Sequence, residues 1–167
     1  MHSKLILTSF LTLLFFCANA QEETERVKSK AVYAEIFGNG GLYSFNYDQR
    51  FDQRLDGLGF RAGASFIALD GTGAATFPFG LNYLLGKNGK YFELGLGATY
   101  ALGFDNTNTQ ARGSDETIGD GLFGTMTIGY RREPKEGGFL FRVGMTPLFG
   151  YGVFWPLYGG LSFGYAF

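Results

Sequence analysis

The stretch Phe92-Glu-Leu-Gly-Leu-Gly-Ala-Thr-Tyr-Ala-Leu102 alternates between large apolar residues and small or charged ones. The apolar row consists of Phe92, Leu94, Leu96, Ala98, Tyr100 and Leu102, and the opposite row contains Glu93, Gly95, Gly97 and Thr99. Because successive side chains of a β-strand point to opposite faces, this stretch predicts a strand with one apolar face. Its other face is small or charged.

The same alternation recurs through the chain, and no segment after Gln21 sustains a helical period. It gives eight candidate strands, at about residues 30–38, 42–51, 57–67, 75–85, 90–103, 118–132, 138–149 and 157–167. Most of them reach the roughly 9–11 residues that a tilted strand needs to cross a membrane. The prediction is an all-β chain whose residues 30–167 form a single antiparallel up-and-down transmembrane β-barrel of eight strands.

The distribution of lysine and glycine indicates which face of the strands is turned outward. A soluble lipocalin-like binding barrel, the alternative, would carry its apolar face inside and a lysine-rich face toward water. After residue 20, lysine occurs only in the N-terminal tail or at turns, at Lys28, Lys30, Lys87, Lys90 and Lys135. The face opposite the apolar one is instead rich in glycine, which suits a narrow lumen. We therefore expect the large apolar side chains to face lipid.

The first twenty residues predict an export signal. Lys4 precedes the apolar run Leu5–Cys17, which is too short to span a bilayer. The following Ala18-Asn-Ala20 is a small-x-small cleavage pattern. Residues 1–20 are thus predicted to be a signal peptide, with cleavage after Ala20 and a short periplasmic tail at residues 21–29.

Composition after that cleavage excludes several kinds of chemistry. His2 and Cys17 are the only histidine and cysteine, so the exported chain would have no imidazole or thiolate for catalysis or metal binding. Loss of Lys4 leaves 13 basic residues against 15 acidic ones, a net charge of −2, which does not favour nucleic acid as a partner. We predict no enzymatic activity, no metal and no cofactor.

Charged residues on the inward face predict a network inside the lumen. Alternation places there Glu35, Asp48, Arg50, Arg61, Glu93, Arg131 and Arg142, together with Asn46 and Asn82. Arginine can bind a carboxylate through two parallel hydrogen bonds in a confined space. Two interpretations remain open: a structural ion-pair core that plugs the barrel, or a path for protons or ions.

An even number of strands puts both chain ends on the periplasmic side. The periplasmic turns are then 52–56, 87–89 and 133–137, and the outer loops are 39–41, 69–73, 104–117 and about 150–156. In the fourth outer loop, Tyr151, Phe154 and Trp155 belong either to an interfacial aromatic girdle or to a hydrophobic ligand site. The third outer loop is rich in oxygen ligands but lacks the EF-hand spacing of a calcium site.

The C-terminal run Gly160-Leu-Ser-Phe-Gly-Tyr-Ala-Phe167 resembles the closing strand of bacterial outer-membrane barrels. That resemblance implies that Phe167 is the aromatic residue that the barrel-assembly machinery recognises during biogenesis. The stretch Gly38-Asn-Gly-Gly-Leu-Tyr-Ser-Phe-Asn-Tyr47 looks like the first hairpin of small outer-membrane proteins from Bacteroidetes-type bacteria. A glutamine directly after the cleavage pattern, here Gln21, also resembles the exported proteins of that group. No biochemical role comes with the resemblance.

These features favour a monomeric integral outer-membrane protein with a structural or surface-interaction role, in contact with outer-membrane lipid. The alternative is a binder or conduit for small hydrophobic molecules that uses the aromatic fourth loop. A porin-like solute pore is disfavoured because the predicted lumen is narrow and filled by arginine side chains.

Overall fold

A computed structural model describes residues 30–52, 54–69, 72–105, 120–150 and 152–167. The predicted signal peptide and tail, Tyr151 and most of the third outer loop lie outside the described residues. The described strands are β1 (Lys30–Phe37), β2 (Tyr43–Arg50), β3 (Gly57–Leu69), β4 (Thr72–Lys87), β5 (Lys90–Asp105), β6 (Gly121–Arg132), β7 (Gly138–Met145), β8 (Leu148–Gly150), β9 (Val153–Trp155) and β10 (Gly159–Ala166). No helix in these ranges is long and apolar enough to cross a bilayer.

Eight of these strands, β1–β7 and β10, form a closed ring. Each pairs antiparallel with its neighbour along the chain, and β10 pairs with both β7 and β1. At the seam, the N–H of Phe167 donates to the Lys30 carbonyl at 2.8 Å, and the N–H of Lys30 donates back at 3.1 Å. The predicted all-β antiparallel barrel of eight strands is confirmed. Closure leaves no sheet edge along the ring, which is the condition for a sheet to exist in lipid.

The short strands β8 and β9 extend β7 and β10 beyond the ring. β8 continues beside β6 in the register of β7, with Thr125 opposite Leu148. On the other side, β10 pairs Gly159 with Met145, whereas β9 pairs Trp155 with Leu148, so one extra residue lies between β9 and β10. Such an extra residue is a β-bulge, which bends a strand at the rim of a barrel. The predicted strand 138–149 is therefore interrupted between β7 and β8, and the predicted outer loop at about 150–156 is partly wrong because it contains strand β9.

Large apolar side chains cover the outside of the ring, while charged side chains fill the inside. Leu96, for example, is 59% exposed, and Phe45, Phe66 and Phe139 are also exposed. A soluble barrel that encloses an apolar ligand has the opposite arrangement. The lipocalin-like alternative therefore does not fit the structure.

Of two predicted turns, one forms as expected and the other has a different structure. The Asn88-Gly89 hairpin forms as expected, with positive φ angles of 59° and 75°, the backbone signature of a two-residue type I′ turn. The turn at 39–41, expected to be an outer loop, is instead a single 3-10 turn (Gly38–Gly40) whose residues are buried. We call Gly38–Gly40 the inward turn. It is buried at one end of the lumen.

Candidate functional site in the lumen

Arg142 on β7 organises one group of lumen charges, the Arg142 cluster (Glu35, Glu93, Arg142 and Ser162). Its Nε and Nη2 donate to the two carboxylate oxygens of Glu93 at 2.8 and 2.7 Å. Its Nη1 donates to Ser162 Oγ at 3.3 Å and lies 3.6 Å from Glu35 Oε1. The guanidinium carbon is 4.5 Å from the ring centroid of Tyr33, a cation–π distance. One arginine thus connects β7 with β1, β5 and β10.

A second group, the Asp48 cluster (Asp48, Arg50, Arg131 and Glu133), lies nearer the predicted periplasmic end. Asp48 Oδ1 is 2.6 Å from Arg50 Nη2 and accepts a hydrogen bond from Arg131 Nη2 at 3.1 Å. Arg131 also donates from Nε to Glu133 Oε2 at 2.7 Å. All four side chains are almost completely buried. Glu133 lies at the start of the turn after β6. Burial raises the pKa of its carboxyl above the ordinary value, although the positive charge of Arg131 acts in the opposite direction.

Asn82 on β4 joins the two clusters. Its Nδ2 donates to Asp48 Oδ2 at 2.5 Å and to Glu93 Oε1 at 3.2 Å. Its Oδ1 accepts a hydrogen bond from Arg50 Nη2. The network therefore runs without interruption from the Asp48 cluster to the Arg142 cluster, and each of its carboxylates has an arginine partner.

The structure brings six of the seven predicted lumen charges into this network. The exception is Arg61, which is 2% exposed and has no hydrogen-bond partner for its guanidinium nitrogens among the described residues. Asp48 is its cross-strand neighbour in the register of β2 and β3, but the carboxylate is already shared by Arg50 and Arg131. Register alone therefore did not decide which arginines Asp48 binds.

Several lumen residues were not predicted from the sequence, among them Glu133 and Tyr33, and one aromatic residue was misplaced. Glu133 was assigned to a turn, although alternation from Arg131 would have placed it inside. Tyr33 contacts Arg142 and follows the same alternation as Glu35. The sequence also predicts an aromatic girdle of Phe51, Tyr91 and Tyr130 toward the periplasmic rim. Tyr91 is instead 2% exposed and shares the inward face of Glu93, so its assignment to the girdle was wrong.

The inward turn adds backbone groups to the outer end of the lumen. The N–H of Asn39 donates to Glu35 Oε2 at 3.1 Å, and its side-chain Nδ2 donates to Thr127 Oγ1 at 3.2 Å. The Asn39 carbonyl accepts from Thr99 Oγ1 at 2.6 Å, and the Gly40 carbonyl accepts from Thr76 Oγ1 at 2.7 Å. Side chains of β1, β4, β5 and β6 thus hold one turn across the barrel.

We expect Thr99→Val to lower the free energy of unfolding by about 1–3 kcal/mol, because it leaves the buried Asn39 carbonyl without its donor. Thr125→Val is the matched control, since Thr125 is equally buried and its hydroxyl has no partner among the described residues. Urea titration of both variants in lipid vesicles would measure the difference. Equal unfolding free energies for the two variants would contradict the role assigned to the Thr99 hydrogen bond.

The predicted aromatic site is only partly described. Phe154 and Trp155 lie on β9 with about 60% of each side chain exposed, and the neighbouring Leu157 is 88% exposed. Tyr151 is outside the described residues. Most of the oxygen-rich third loop also falls there, and the described part of the chain contains no group of three or more potential metal-ligating side chains.

No protein-family model and no curated protein matches this chain. Among solved structures, it is similar to the N-terminal β-barrel domain of Pseudomonas aeruginosa OprF, with a TM-score of 0.57 and 11% identity over 87% of this chain and 100% of the other. It is also similar to the Yersinia pestis outer membrane protein Ail, with a TM-score of 0.52 and 12% identity over 84% and 97% of the two chains. The outer membrane enzyme PagL matches with a TM-score of 0.37 and 16% identity over 81% and 96%. At these identities the first two likenesses show a shared barrel fold, and the third carries no argument.

Proposed function

We propose that this chain is an integral outer-membrane β-barrel with a structural or surface-interaction role and a lumen closed to solutes. The observation that carries the proposal is the inside-out distribution of side chains around a closed ring. Exposed apolar residues such as Leu96 would be costly in water but suit lipid, while the buried charges pair with one another inside. The barrel fold that the chain shares with outer-membrane proteins supports the same location.

Two observations support a closed lumen rather than a pore. The cavity beside Glu35, Glu93 and Arg142 measures about 10 Å³, which is about the space that one water molecule requires. The inward turn also crosses the lumen at its outer end. In small barrels side chains fill the interior, and here the ion-pair interpretation is favoured over an ion path because each network carboxylate already has an arginine partner.

Membrane location is tested by fractionating cells that express the full chain. We expect the protein in the outer-membrane fraction, with a gel mobility that changes on heating because the folded barrel resists detergent. N-terminal sequencing should begin at Gln21 if the signal peptide is cleaved after Ala20. A heat-insensitive protein released with the soluble periplasmic fraction would overturn the proposal.

We expect the purified barrel to give no stable conductance steps in planar lipid bilayers, because the charge network and the inward turn fill its lumen. A known open porin at the same protein concentration is the positive control. Reproducible single-channel openings would contradict the closed lumen, while leaving the membrane location intact.

A second candidate function, a binder or conduit for small hydrophobic molecules, is favoured by one observation. Phe154 and Trp155 of β9, and Leu157 just after it, are all exposed apolar side chains. The test compares Phe154→Ala/Trp155→Ala with Phe45→Ala/Phe139→Ala, which removes two exposed aromatic side chains elsewhere. Reduced uptake of a hydrophobic probe in the first variant alone, at equal amounts of folded protein, would favour the conduit over the structural role.

We propose that the barrel is monomeric and that Phe167 serves as the assembly signal. A catalytic role is disfavoured because residues 21–167 contain neither histidine nor cysteine.

A further inference from the structure

A basic groove lies between the turn that joins β4 to β5 and the turn that joins β6 to β7. It has a volume of about 350 Å³ and is lined by Asn88, Gly89, Lys90, Arg132, Pro134 and Lys135. Hydrogen bonds fix its two walls to each other: the N–H of Glu133 donates to the Gly89 carbonyl at 3.0 Å, and Lys135 Nζ donates to Asn88 Oδ1 at 3.1 Å. We call Lys90, Arg132 and Lys135 the rim cations.

The rim cations line the same groove, and no negatively charged side chain of the described residues pairs with them. Lys90 and Arg132 are direct cross-strand partners of β5 and β6, and Lys90 also stands opposite Lys87 of β4. Like charges in such positions destabilise a sheet. Among the described residues, no carboxylate forms an ion pair with the rim cations. The adjacent Glu133 is turned inward to Arg131. Glu136, the other acid of this turn, forms no ion pair with a described residue. An anion in the groove would remove the repulsion.

The groove continues directly into the apolar surface of the barrel. Phe92 and Tyr130 are also cross-strand partners, two residues further along β5 and β6 on the same outward face as Lys90 and Arg132. Both rings are exposed, by 46% and 40%. At a rise of about 3.3 Å per residue, the aromatic pair lies roughly 7 Å from the charged pair along the strands. A ligand that contacts both pairs would need an anionic group at the cations and an apolar part about 7 Å away at the aromatic rings. An amphiphile has both, whereas a free ion has only the first.

Given the proposed outer-membrane location, on which this inference rests, we propose that the rim cations bind an anionic phospholipid of the periplasmic leaflet. The phosphate occupies the groove, where Arg132 can donate two parallel hydrogen bonds and Lys90 and Lys135 supply point charges. The acyl chains lie along Phe92 and Tyr130. Both turns are at the end of the barrel that carries the chain termini, which places the groove at the headgroup level of the inner leaflet.

The test compares the stability of folded barrels in nanodiscs of phosphatidylcholine and of phosphatidylcholine with phosphatidylglycerol. The site variant is Lys90→Gln/Arg132→Gln. The control variant, Lys30→Gln/Arg54→Gln, removes one lysine and one arginine from the same end of the barrel but outside the groove. We expect phosphatidylglycerol to raise the urea midpoint of the wild type and of the control, and the site variant to lose most of that rise. Native mass spectrometry should show phosphatidylglycerol retained by the wild type and control, and lost from the site variant.

Two results would overturn the lipid site. One is an equal rise of the urea midpoint for site and control variants, which would mean that only the overall charge of the rim matters. The other is an equal rise when inorganic phosphate is added to phosphatidylcholine nanodiscs, which would identify the ligand as a free anion. In both cases the barrel would still fold and show its heat-dependent mobility. Failure to fold into any nanodisc would instead contradict the proposed function.

Discussion

Replacing Arg142 by alanine is expected to lower the free energy of unfolding by about 3–5 kcal/mol, the usual cost of leaving a buried ionic partner unpaired. Arg142 donates two hydrogen bonds to the Glu93 carboxylate, in addition to the one from Asn82, and supplies the nearby positive charge for Glu35. Neither carboxylate can turn toward water, because each is 1–2% exposed. The variant therefore has to keep two uncompensated carboxylates inside the barrel, bind protons to them or admit water.

The control for this variant is Arg54→Ala. Arg54 donates two hydrogen bonds to Asp56, at 3.0 and 2.8 Å, much as Arg142 does to Glu93, but its side chain is 72% exposed. Solvent screens such a pair, so we expect no measurable loss of stability. Urea titrations in vesicles, followed by the heat-dependent gel shift, would give both values.

A second comparison separates the ion pair from its geometry. Glu93→Gln/Arg142→Gln removes both charges and leaves hydrogen-bonding groups in their place, so we expect it to be more stable than Arg142→Ala. If Arg142→Ala were as stable as the wild type at neutral pH, the network would have no structural role, and the proton-path interpretation of the lumen would regain weight.

Leu96→Arg is expected to lower the free energy of unfolding in a bilayer by about 2–4 kcal/mol, the cost of placing a cation on the lipid face near the midplane. Leu96 lies in the middle of β5, between Leu81 of β4 and Met126 of β6. Its side chain is directed outward. A guanidinium at this depth can reach the headgroups only by distorting the membrane.

Leu58→Arg gives the matched control because it makes the same change near the end of β3, where the cost falls to about 0–1 kcal/mol. The pair of variants tests the direction of the barrel faces without reference to function. In a protein whose apolar face met water, both substitutions would be nearly neutral. Equal effects at the two depths would therefore contradict the transmembrane placement of β5.

The sequence predicted the strands well because their apolar and small residues alternate strictly. Most strand ends agree with the structure within three residues, and the Asn88-Gly89 turn formed as its residue types required. The interruption between β7 and β8 was missed, and so was the extra residue between β9 and β10. Periodicity records which face a residue occupies, but a one-residue bulge changes the pairing and leaves the local composition almost unaltered.

The inward turn could not be predicted from its own residues. Gly38-Asn-Gly40 has the composition of an exposed loop, and glycine and asparagine are expected in turns of every kind. It is buried because Thr76, Thr99 and Thr127, from three other strands, converge on it. Those partners are 36, 60 and 88 residues away along the chain, so no local pattern contains them.

The alternation that begins at Phe92 and recurs along the chain, together with the distribution of lysine and glycine, was sufficient to predict a barrel with apolar residues outside and charges inside. This is possible because the side-chain period of a strand is fixed by backbone geometry and can be read from neighbouring residues. Tertiary structure alone decided which of those charges meet. Arg142 binds Glu93, and Asp48 binds Arg50 and Arg131, while Arg61 stays outside the network. Long side chains reach across a narrow lumen to strands that are not their neighbours, so their partners depend on closure of the ring.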